Sequence, residues 1–257
     1  MKVIGVQLDI AWEDAAANHA RARRLVETAR PEPGDLVVLP EMFATGFSMR
    51  ARRIAEAPGG PTAQFLGDLA RRHRVHIVAG VAVQGPSGAR ARNEAVWIAP
   101  DGACAGRYVK RHPFSISGED RHYEAGDDLL ILDWGGFPAC PFICYDLRFP
   151  EDFRRAARRG AELFVVIANW PSARAHHWRA LLMARAIENQ AYVAGVNRCG
   201  RDPKNEYAGG SLIVDPQGNI VAEAGGDETV IQATPDRAAL LEYRRRFPVL
   251  ADMRDDE

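Results

Sequence analysis

The sequence has 257 residues, of which 47% are apolar and 26% are charged, a composition typical of a globular protein with a large core. Its 33 basic and 34 acidic side chains give a net charge of −1, so the excess of positive charge typical of proteins that bind nucleic acid or anionic membranes is absent. No run of about 20 apolar residues is present, which argues against a membrane-spanning helix.

The chain begins with MKVIGVQLDI, in which Val6, Leu8 and Ile10 alternate with polar residues. This alternation predicts a strand. Gln7 and Asp9 interrupt the apolar stretch that a signal peptide would need. Without a secretory segment, the four cysteines are interpreted as reduced thiols. We therefore expect a cytoplasmic protein.

The rest of the chain alternates between short apolar segments and helical patterns. Segments rich in valine and isoleucine predict strands at 34–41, 75–83, 141–146, 161–170 and 191–198. Apolar stripes, two of which open with proline, predict helices at 61–73, 150–159 and 174–190. Later, YAGGSLIVDPQGNIVAEAG and ETVIQATP predict antiparallel strands around a turn at 216–219. The alternation favours a single α/β domain over residues 1–257, with mixed sheets.

Cys144 lies near the end of the predicted strand PFICYD, just before a helix whose first turn is near Pro150. A cysteine in an apolar segment is commonly a core residue. In this position, however, backbone N–H groups can hold an oxyanion, and the positive helix end can favour a thiolate. Cys140, four residues earlier, raises the alternative of a metal pair. Because no second pair of closely spaced ligands accompanies it, no metal is expected.

Two further predicted strands end on polar residues, Glu41 in LVVLPE and Asn169 in FVVIANW. Ligands bind at the carboxyl ends of strands in open α/β sheets, so these residues and Cys144 are expected at one edge. Burial would raise the pKa of Glu41 and suit it to accept a thiol proton, although a helix cap or salt bridge is the alternative. Lys110, in GRYVKRHPF, could stabilise charge on a carbonyl oxygen or simply be a solvated surface charge.

Together these motifs resemble the nitrilase, or carbon–nitrogen hydrolase, superfamily. LPEMFATGFSM, GRYVKRHPF and FICYDLRFPE are similar to its three signatures, in order, and match Glu41, Lys110 and Cys144 to its base, lysine and nucleophile. The resemblance runs from MKVIGVQLD to RRRFPVLAD. It implies a four-layer α-β-β-α sandwich, catalysis without a cofactor, and pairing into a homodimer, to which RRRFPVLADM could contribute.

The resemblance also implies a second glutamate, which would orient the lysine and the substrate amide. In GEDRHYEAG the matching residue is Glu119, with Asp120 and Glu124 as competing assignments.

Within the superfamily, LPEMFATGFSM, NWPSARAHHWRALLMARAIENQ and GVNRCGRD most resemble the omega-amidase branch. That resemblance implies hydrolysis of a small amide, the distal amide of 2-oxo acids such as 2-oxoglutaramate or 2-oxosuccinamate. True nitrilases tend to carry tryptophan after the cysteine, where this chain has Tyr145. The backbone N–H of Tyr145 is expected to hold the oxyanion together with Lys110.

A carboxylate-bearing substrate needs a cation near the pocket, and Arg148 and Arg174 are candidates because arginine binds carboxylates with two parallel hydrogen bonds. Phe43, Tyr145 and Trp170 are candidates for an apolar wall. Structural ion pairs and ordinary core packing are the respective alternatives.

Other functions remain open at this point. An N-carbamoyl amino acid hydrolase or a general aliphatic amidase would share the same triad. A catalytically silent binding protein on the same fold is an alternative of another class, against which the intact triad speaks. A dinucleotide-binding oxidoreductase is disfavoured, because no glycine-rich fingerprint follows a strand and Gly59-Gly60 precede Pro61.

Overall fold

The computed structural model describes residues 1–86 and 89–254. Most of its strands form two sheets that lie face to face. The strands, in chain order, are β1 (Val3–Gln7), β2 (Leu36–Val38), β3 (His76–Val83), β4 (Ala91–Ile98), β5 (Cys104–Val109), β6 (Tyr123–Glu124), β7 (Leu132–Trp134), β8 (Phe137–Ile143), β9 (Leu163–Ala168), β10 (Tyr192–Asn197), β11 (Cys199–Arg201), β12 (Glu206–Ala208), β13 (Leu212–Val214), β14 (Ile220–Glu223) and β15 (Thr229–Ala233).

Both sheets are mixed. The first has the order β15-β1-β2-β3-β4-β5, with β6 paired to β4; β1, β2 and β3 are parallel, and the flanking pairs are antiparallel. The second has the order β14-β13-β10-β9-β8-β7, again with three parallel strands, β8 to β10, between antiparallel neighbours. Strands β11 and β12 form a separate hairpin.

Helices cover the outer faces of both sheets. They are α1 (Ala15–Ala29), α2 (Ala51–Ile54), α3 (Pro61–His73), α4 (Pro150–Arg158), α5 (Ala175–Asn189) and α6 (Arg237–Arg246). Helices α1 and α3 pack on the first sheet, and α4 and α5 pack on the second. The predicted α-β-β-α sandwich is therefore confirmed. None of the helices in the described ranges is long and apolar enough to cross a membrane.

Alternate residues of the first sheet face two different cores. Val3 and Val38 point toward the second sheet, whereas Ile4 and Val37 pack beneath α1 and α3. This alternation is the normal consequence of side chains leaving a strand on opposite sides. All five residues of β1 are buried. The predicted N-terminal strand is therefore present, and both of its faces are covered, one by the second sheet and the other by helices.

The three predicted helices agree with α3, α4 and α5 to within one residue at each end. The strand predicted at 34–41 is shorter, because the chain leaves the sheet after Val38 and passes through Pro40. The strand predicted at 141–146 begins earlier, at Phe137, and ends at Ile143. Helix α1 and strands β4 and β5 were not predicted. The late antiparallel pair, β13 and β14, is confirmed, but β15 joins the other sheet.

Candidate active site

Four of the candidate residues meet where strands of the two sheets end. Glu41 lies three residues beyond β2, Lys110 directly follows β5, Cys144 directly follows β8, and Asn169 directly follows β9. Hydrogen bonds connect Glu41 with Lys110 and with Asn169, and the Cys144 thiol with Asn169. Segments far apart in sequence therefore supply one compact group of polar side chains.

The Lys110 ammonium lies between two buried carboxylates. Its Nζ is 2.8 Å from Glu41 Oε1 and 2.9 Å from Glu119 Oε2, and all three side chains are shielded from solvent. Asn93 Nδ2 bridges the same carboxylates, donating to Glu41 Oε1 at 2.8 Å and to Glu119 Oε1 at 2.9 Å. Because one amide and one ammonium contact both carboxylates, neither carboxylate can move independently.

The structure places Glu119, and not its neighbours, in this group. Its Oε2 also accepts a hydrogen bond from the backbone N–H of Phe114 at 2.6 Å. Asp120 is exposed, and Glu124 Oε2 lies 3.3 Å from Arg92 Nε, at another ion pair. Of the three carboxylates considered from the sequence, Glu119 alone contacts Lys110.

The pKa of Glu41 is lowered, which contradicts the expectation of a raised value. Burial by itself raises it, but the charge and hydrogen bond of Lys110 outweigh burial, with further help from Asn93 and the backbone of Asn169. Burial likewise lowers the pKa of Lys110, yet the charges of Glu119 and Glu41 raise it well above its ordinary value. The site therefore holds an ionised Glu41 and a charged Lys110.

The Cys144 thiol is protonated in this environment. Burial raises its pKa well above the usual range, the charge of Glu41 adds to that effect, and the charge of Lys110 opposes it. The expectation that the following helix favours a thiolate is wrong, because burial and two nearby carboxylates dominate. Sγ lies 3.9 Å from the carbonyl oxygen of Asn169. The backbone at Cys144 has φ of 48°, a left-handed conformation uncommon outside glycine.

Two features fix Glu41 in place. The backbone N–H of Asn169 donates to Oε2 at 2.9 Å, and Asn169 Nδ2 donates to the Glu41 carbonyl at 2.6 Å. Gly80 of β3 lies against the same turn: a Cβ there would be 2.4 Å from Glu41 Cα and 2.5 Å from Met42 N. Only glycine allows the backbone of β3 to approach the Glu41 turn this closely.

A cavity of about 580 Å³ opens onto Cys144. Its walls include five of the predicted substrate-binding residues: Tyr145, Arg148, Asn169, Trp170 and Arg174. Phe43 is not among them. It is fully buried in the core under α1 and α3, where its ring centroid lies 6.2 Å from that of Phe65. The prediction of Phe43 as a wall residue is wrong; Phe47, four residues later in the same motif, lines the cavity instead.

Three guanidinium groups lie at the cavity wall, and one of them, that of Arg50, is paired with Glu13, whose Oε1 is 2.8 Å from Arg50 Nε. Arg148 Cζ is 4.7 Å from the ring centroid of Trp170, and Arg174 Cζ is 5.7 Å from that of Phe114. Arg148 Nη2 is also 3.2 Å from His177 Nδ1. Within residues 1–86 and 89–254, Arg50 forms an ion pair with a carboxylate, whereas Arg148 and Arg174 form none. Both charges are thus available to an anionic group in the cavity.

Sequence reasoning missed several residues of the site. Asn93 is fully buried in β4, but it lies between Arg92 and Glu94, so the sequence around it does not mark it as a site residue. Phe114 and Tyr207 line the cavity from loop and hairpin segments with no distinctive pattern. Asn169 Oδ1 is buried and has no hydrogen-bond partner among the described residues.

Comparison with known proteins agrees with this geometry. A family model described as carbon-nitrogen hydrolase matches residues 3–245. Omega-amidase YafV of Yersinia enterocolitica is 41% identical over 254 residues, covering 98% of this chain and 96% of that protein. The 2-oxoglutaramate amidase of Bacillus subtilis is 37% identical with the same coverage. A solved structure of a CN-hydrolase superfamily protein from Xanthomonas campestris, with an arsenic adduct in its active site, is 39% identical. It has a TM-score of 0.93 and covers 100% of this chain and 98% of its own.

Proposed function

Because the chain belongs to the carbon–nitrogen hydrolase family, we propose that it is an omega-amidase that releases ammonia from 2-oxo dicarboxylic acid monoamides such as 2-oxoglutaramate and 2-oxosuccinamate. The observation that carries this proposal is the Lys110 ammonium held between two buried carboxylates, beside a thiol that opens into a cavity. The relatives named omega-amidase and 2-oxoglutaramate amidase match 98% of the chain at 41% and 37% identity.

In the first step, Cys144 Sγ forms a bond to the amide carbon while its proton passes to Glu41. The carbonyl electron pair moves to oxygen, where Lys110 and the backbone N–H of Tyr145 stabilise the negative charge. A protonated thiol and an ionised Glu41 are the required starting states, and the pKa directions of both groups support them.

In the second step, the carbon–nitrogen bond breaks, and the nitrogen takes the proton from Glu41 and leaves as ammonia. Water then attacks the thioester and gives a proton to Glu41. The carbon–sulfur bond breaks, and the sulfur recovers that proton. Water is the only co-reactant, and Glu41 returns to its ionised form after each cycle.

Glu119 and Asn169 support this chemistry from either side. Glu119 binds the Lys110 ammonium through both carboxylate oxygens. These two contacts hold the ammonium in a fixed position from which it can stabilise the oxyanion. Asn169 holds Glu41 Oε2 and lies next to the thiol. Their assigned role is to keep the proton acceptor and the oxyanion donor in fixed positions relative to the sulfur.

Arg148 and Arg174 are proposed to bind the substrate carboxylate. Both line the cavity that opens onto Cys144, and their charges have no carboxylate partner among the described residues. Trp170 and Tyr145 supply apolar surface for the short carbon chain between the carboxylate and the amide. A neutral amide would leave the guanidinium groups unused, so this arrangement favours an anionic substrate.

The experiment is a measurement of ammonia release by the purified protein from matched substrates. The panel contains 2-oxoglutaramate, 2-oxosuccinamate, an N-carbamoyl amino acid, a neutral aliphatic amide and a nitrile, with Cys144→Ala as the inactive control. We expect the highest kcat/KM for the 2-oxo amides and none for the nitrile. A preference for the carbamoyl compound or the neutral amide would replace the proposed substrate, and turnover by Cys144→Ala would overturn the nucleophile.

We also propose that the protein is a homodimer in the cytoplasm. Helices α5 and α6 expose Ile187 and Leu241, at 50% and 43%, and Phe247 just beyond α6 is 56% exposed. The ends of these helices are joined by a hydrogen bond from Gln190 Nε2 to the Phe247 carbonyl, at 2.7 Å. A second copy would cover this apolar surface. All four cysteines are unpaired, which suits a reducing compartment.

A further inference from the structure

We propose that Asp146 is a positioning residue that fixes the lysine segment, residues 108–112, against the nucleophile turn, residues 143–148. The inference rests on the proposed function only for the roles it gives to Lys110 and Cys144. It adds a residue that touches neither the reacting atoms nor the cavity but sets the distance between the groups that do.

Asp146 is fully buried, and it joins the two segments directly. Its Oδ1 accepts a hydrogen bond from the backbone N–H of His112 at 2.9 Å. Its Oδ2 accepts from the backbone N–H of Ile143 at 2.9 Å and from the hydroxyl of Tyr108 at 2.8 Å. Tyr108 and His112 lie two residues before and two residues after Lys110, and Ile143 directly precedes the cysteine. The carboxylate is thus bonded on both sides of the lysine and beside the nucleophile.

A carboxylate is the side chain that this arrangement requires. Both of its oxygens accept hydrogen bonds and neither carries a hydrogen, so two separate backbone donors can be bound at once. An amide of the same shape accepts through one atom only. Asparagine at position 146 could keep only one of the two backbone links, either the one from His112 or the one from Ile143.

A second contact steadies the outer side of the lysine segment. Asp152 of α4 accepts from Arg111 Nε at 2.9 Å and lies 2.8 Å from His112 Nε2. The His112 ring stacks on Phe149, with ring centroids 3.6 Å apart. The segment is therefore held at two points, and Asp146 is the one that binds the backbone of both partners.

The charges around Asp146 make this contact sensitive to pH. Burial raises the pKa of Asp146 to about 6, although the charge of Lys110 and the bonds from Ile143 and Tyr108 act in the opposite direction. Arg111 and Cys140 are further titratable groups that interact with Asp146, and the side chains of His112 and Asp152 lie at the lysine segment. Protonation would place a hydrogen against one of the three donors, so the contact should weaken as the pH falls through this pKa.

The test compares Asp146→Asn with a matched change, Asp35→Asn. Asp35 directly precedes β2, at the end of that strand away from Glu41. Asp35 is also buried and accepts two backbone N–H groups, from Lys2 at 2.7 Å and Glu32 at 2.9 Å. Displacing a reacting group by about 1 Å can cost about 10²-fold in rate. We therefore expect Asp146→Asn to lower kcat by about 10²-fold with KM little changed, whereas Asp35→Asn lowers Tm but keeps kcat.

A readout without substrate separates this proposal from the proposed function. The charge of Lys110 lowers the pKa of the Cys144 thiol. Displacement of Lys110 in Asp146→Asn should therefore slow the alkylation of Cys144 by iodoacetamide at pH 8. Mass spectrometry of the peptide that contains Cys144 measures this rate. Failure of the wild-type protein to hydrolyse 2-oxo amides would count against the substrate alone. The positioning role would be overturned if Asp146→Asn kept the kcat and the alkylation rate of the wild type. It would also be overturned if Asp35→Asn lost as much kcat as Asp146→Asn.

If Asp146→Asn does not fold, Tyr108→Phe decides the question. It keeps the carboxylate and both backbone links but removes a hydroxyl that favours the ionised form. The pKa of Asp146 should rise, so the acid limb of the kcat profile should move to higher pH while the plateau stays at the wild-type value. An unmoved acid limb would overturn the proposal.

Discussion

At the scale of single residues, the protonation of Cys144 depends on a balance of nearby charges. Two carboxylates, Glu41 and Glu119, surround one ammonium, Lys110. Burial and the charge of Glu41 keep the thiol protonated, and Lys110 acts against them. In the proposed mechanism, catalysis therefore starts from a neutral sulfur and an ionised acceptor, and the proton moves only when a substrate carbon is attacked.

This balance predicts opposite effects of Glu41→Gln on two measurements. Removing the negative charge should lower the pKa of the Cys144 thiol, so alkylation by iodoacetamide at pH 8 should become faster. Amide hydrolysis should nevertheless fall steeply, because the proton acceptor is lost. A variant that loses both reactivities would indicate a collapsed site, and one that keeps hydrolysis would exclude Glu41 as the base. Thiol alkylation and ammonia release, each measured against pH, test the prediction.

Replacing Lys110 should affect both rate and stability. Lys110→Met leaves two buried carboxylates without their cation, which typically costs about 3–5 kcal/mol of stability, and the lost oxyanion donor costs about 10²–10³ in kcat. Because the pKa of Glu41 is lowered in the folded state, its ionisation stabilises the wild-type fold at pH values above about 4.5. This stabilisation is lost as the pH falls. The stability gap between variant and wild type should therefore narrow on acidification.

Urea unfolding at neutral and acid pH measures this gap. Lys204→Met, an exposed lysine at the cavity rim, is the matched control and should change the free energy of unfolding little. A constant gap across pH would mean that Lys110 does not act through the carboxylates.

The sequence identified the members of the charged group but not their protonation. Glu41, Lys110 and Cys144 are recognisable from short motifs and from their positions after predicted strands. The sign of each pKa shift depends on distances between segments that are far apart in sequence, such as Lys110 to Glu41. Asn93, which bridges both carboxylates, belongs to no recognised motif. Those facts follow only from the folded arrangement.

At the scale of elements, the approach of β3 to the turn after β2 positions Glu41. Gly80→Ala would place a methyl group 2.4 Å from Glu41 Cα, and because the contact is with backbone, the turn must move. We expect a loss of about 1–3 kcal/mol, typical of overpacking, together with reduced kcat. Gly225, whose Cβ would meet nothing within 4 Å, provides the control Gly225→Ala.

Thermal unfolding and ammonia release on both glycine variants test this prediction. Wild-type activity in Gly80→Ala would show that the Glu41 turn can shift without consequence. Reduced activity in Gly225→Ala would remove the contrast on which the argument depends.

Helices were easier to predict than the strands around the site. Pro61 and Pro150 begin helices α3 and α4, and such local signals need no tertiary information. The ends of β2 and β8 are set by the packing of the turns that follow them, where Glu41 and Cys144 lie. Periodicity alone could not place those ends, because the apolar residues continue past them.

At the scale of the whole molecule, the two sheets share one interior. Strands β1 and β10 contact each other across it, as do β3 and β9, and β4 and β8. The prediction of a single domain over residues 1–257 therefore leads us to expect one cooperative unfolding transition, with tryptophan fluorescence and circular dichroism giving the same midpoint. Two separated transitions would contradict it.

The proposed dimer gives a further expectation at this scale. Phe247→Asp should weaken self-association, because it places a charge on an apolar surface that a second copy would cover. Analytical ultracentrifugation should detect a dimer for the wild type and a shift toward monomer for the variant. The exposed Ile116, which lines the cavity, provides the control Ile116→Asp. A wild-type monomer at micromolar concentration would exclude the proposal.

The left-handed backbone at Cys144, with φ of 48°, has a consequence for how such a chain can change over time. Glycine adopts this conformation without strain, whereas a cysteine at this position carries a strained backbone. In a descendant that no longer needs the reaction, replacement of Cys144 by glycine would relieve this strain. Loss of activity would then begin at the nucleophile itself.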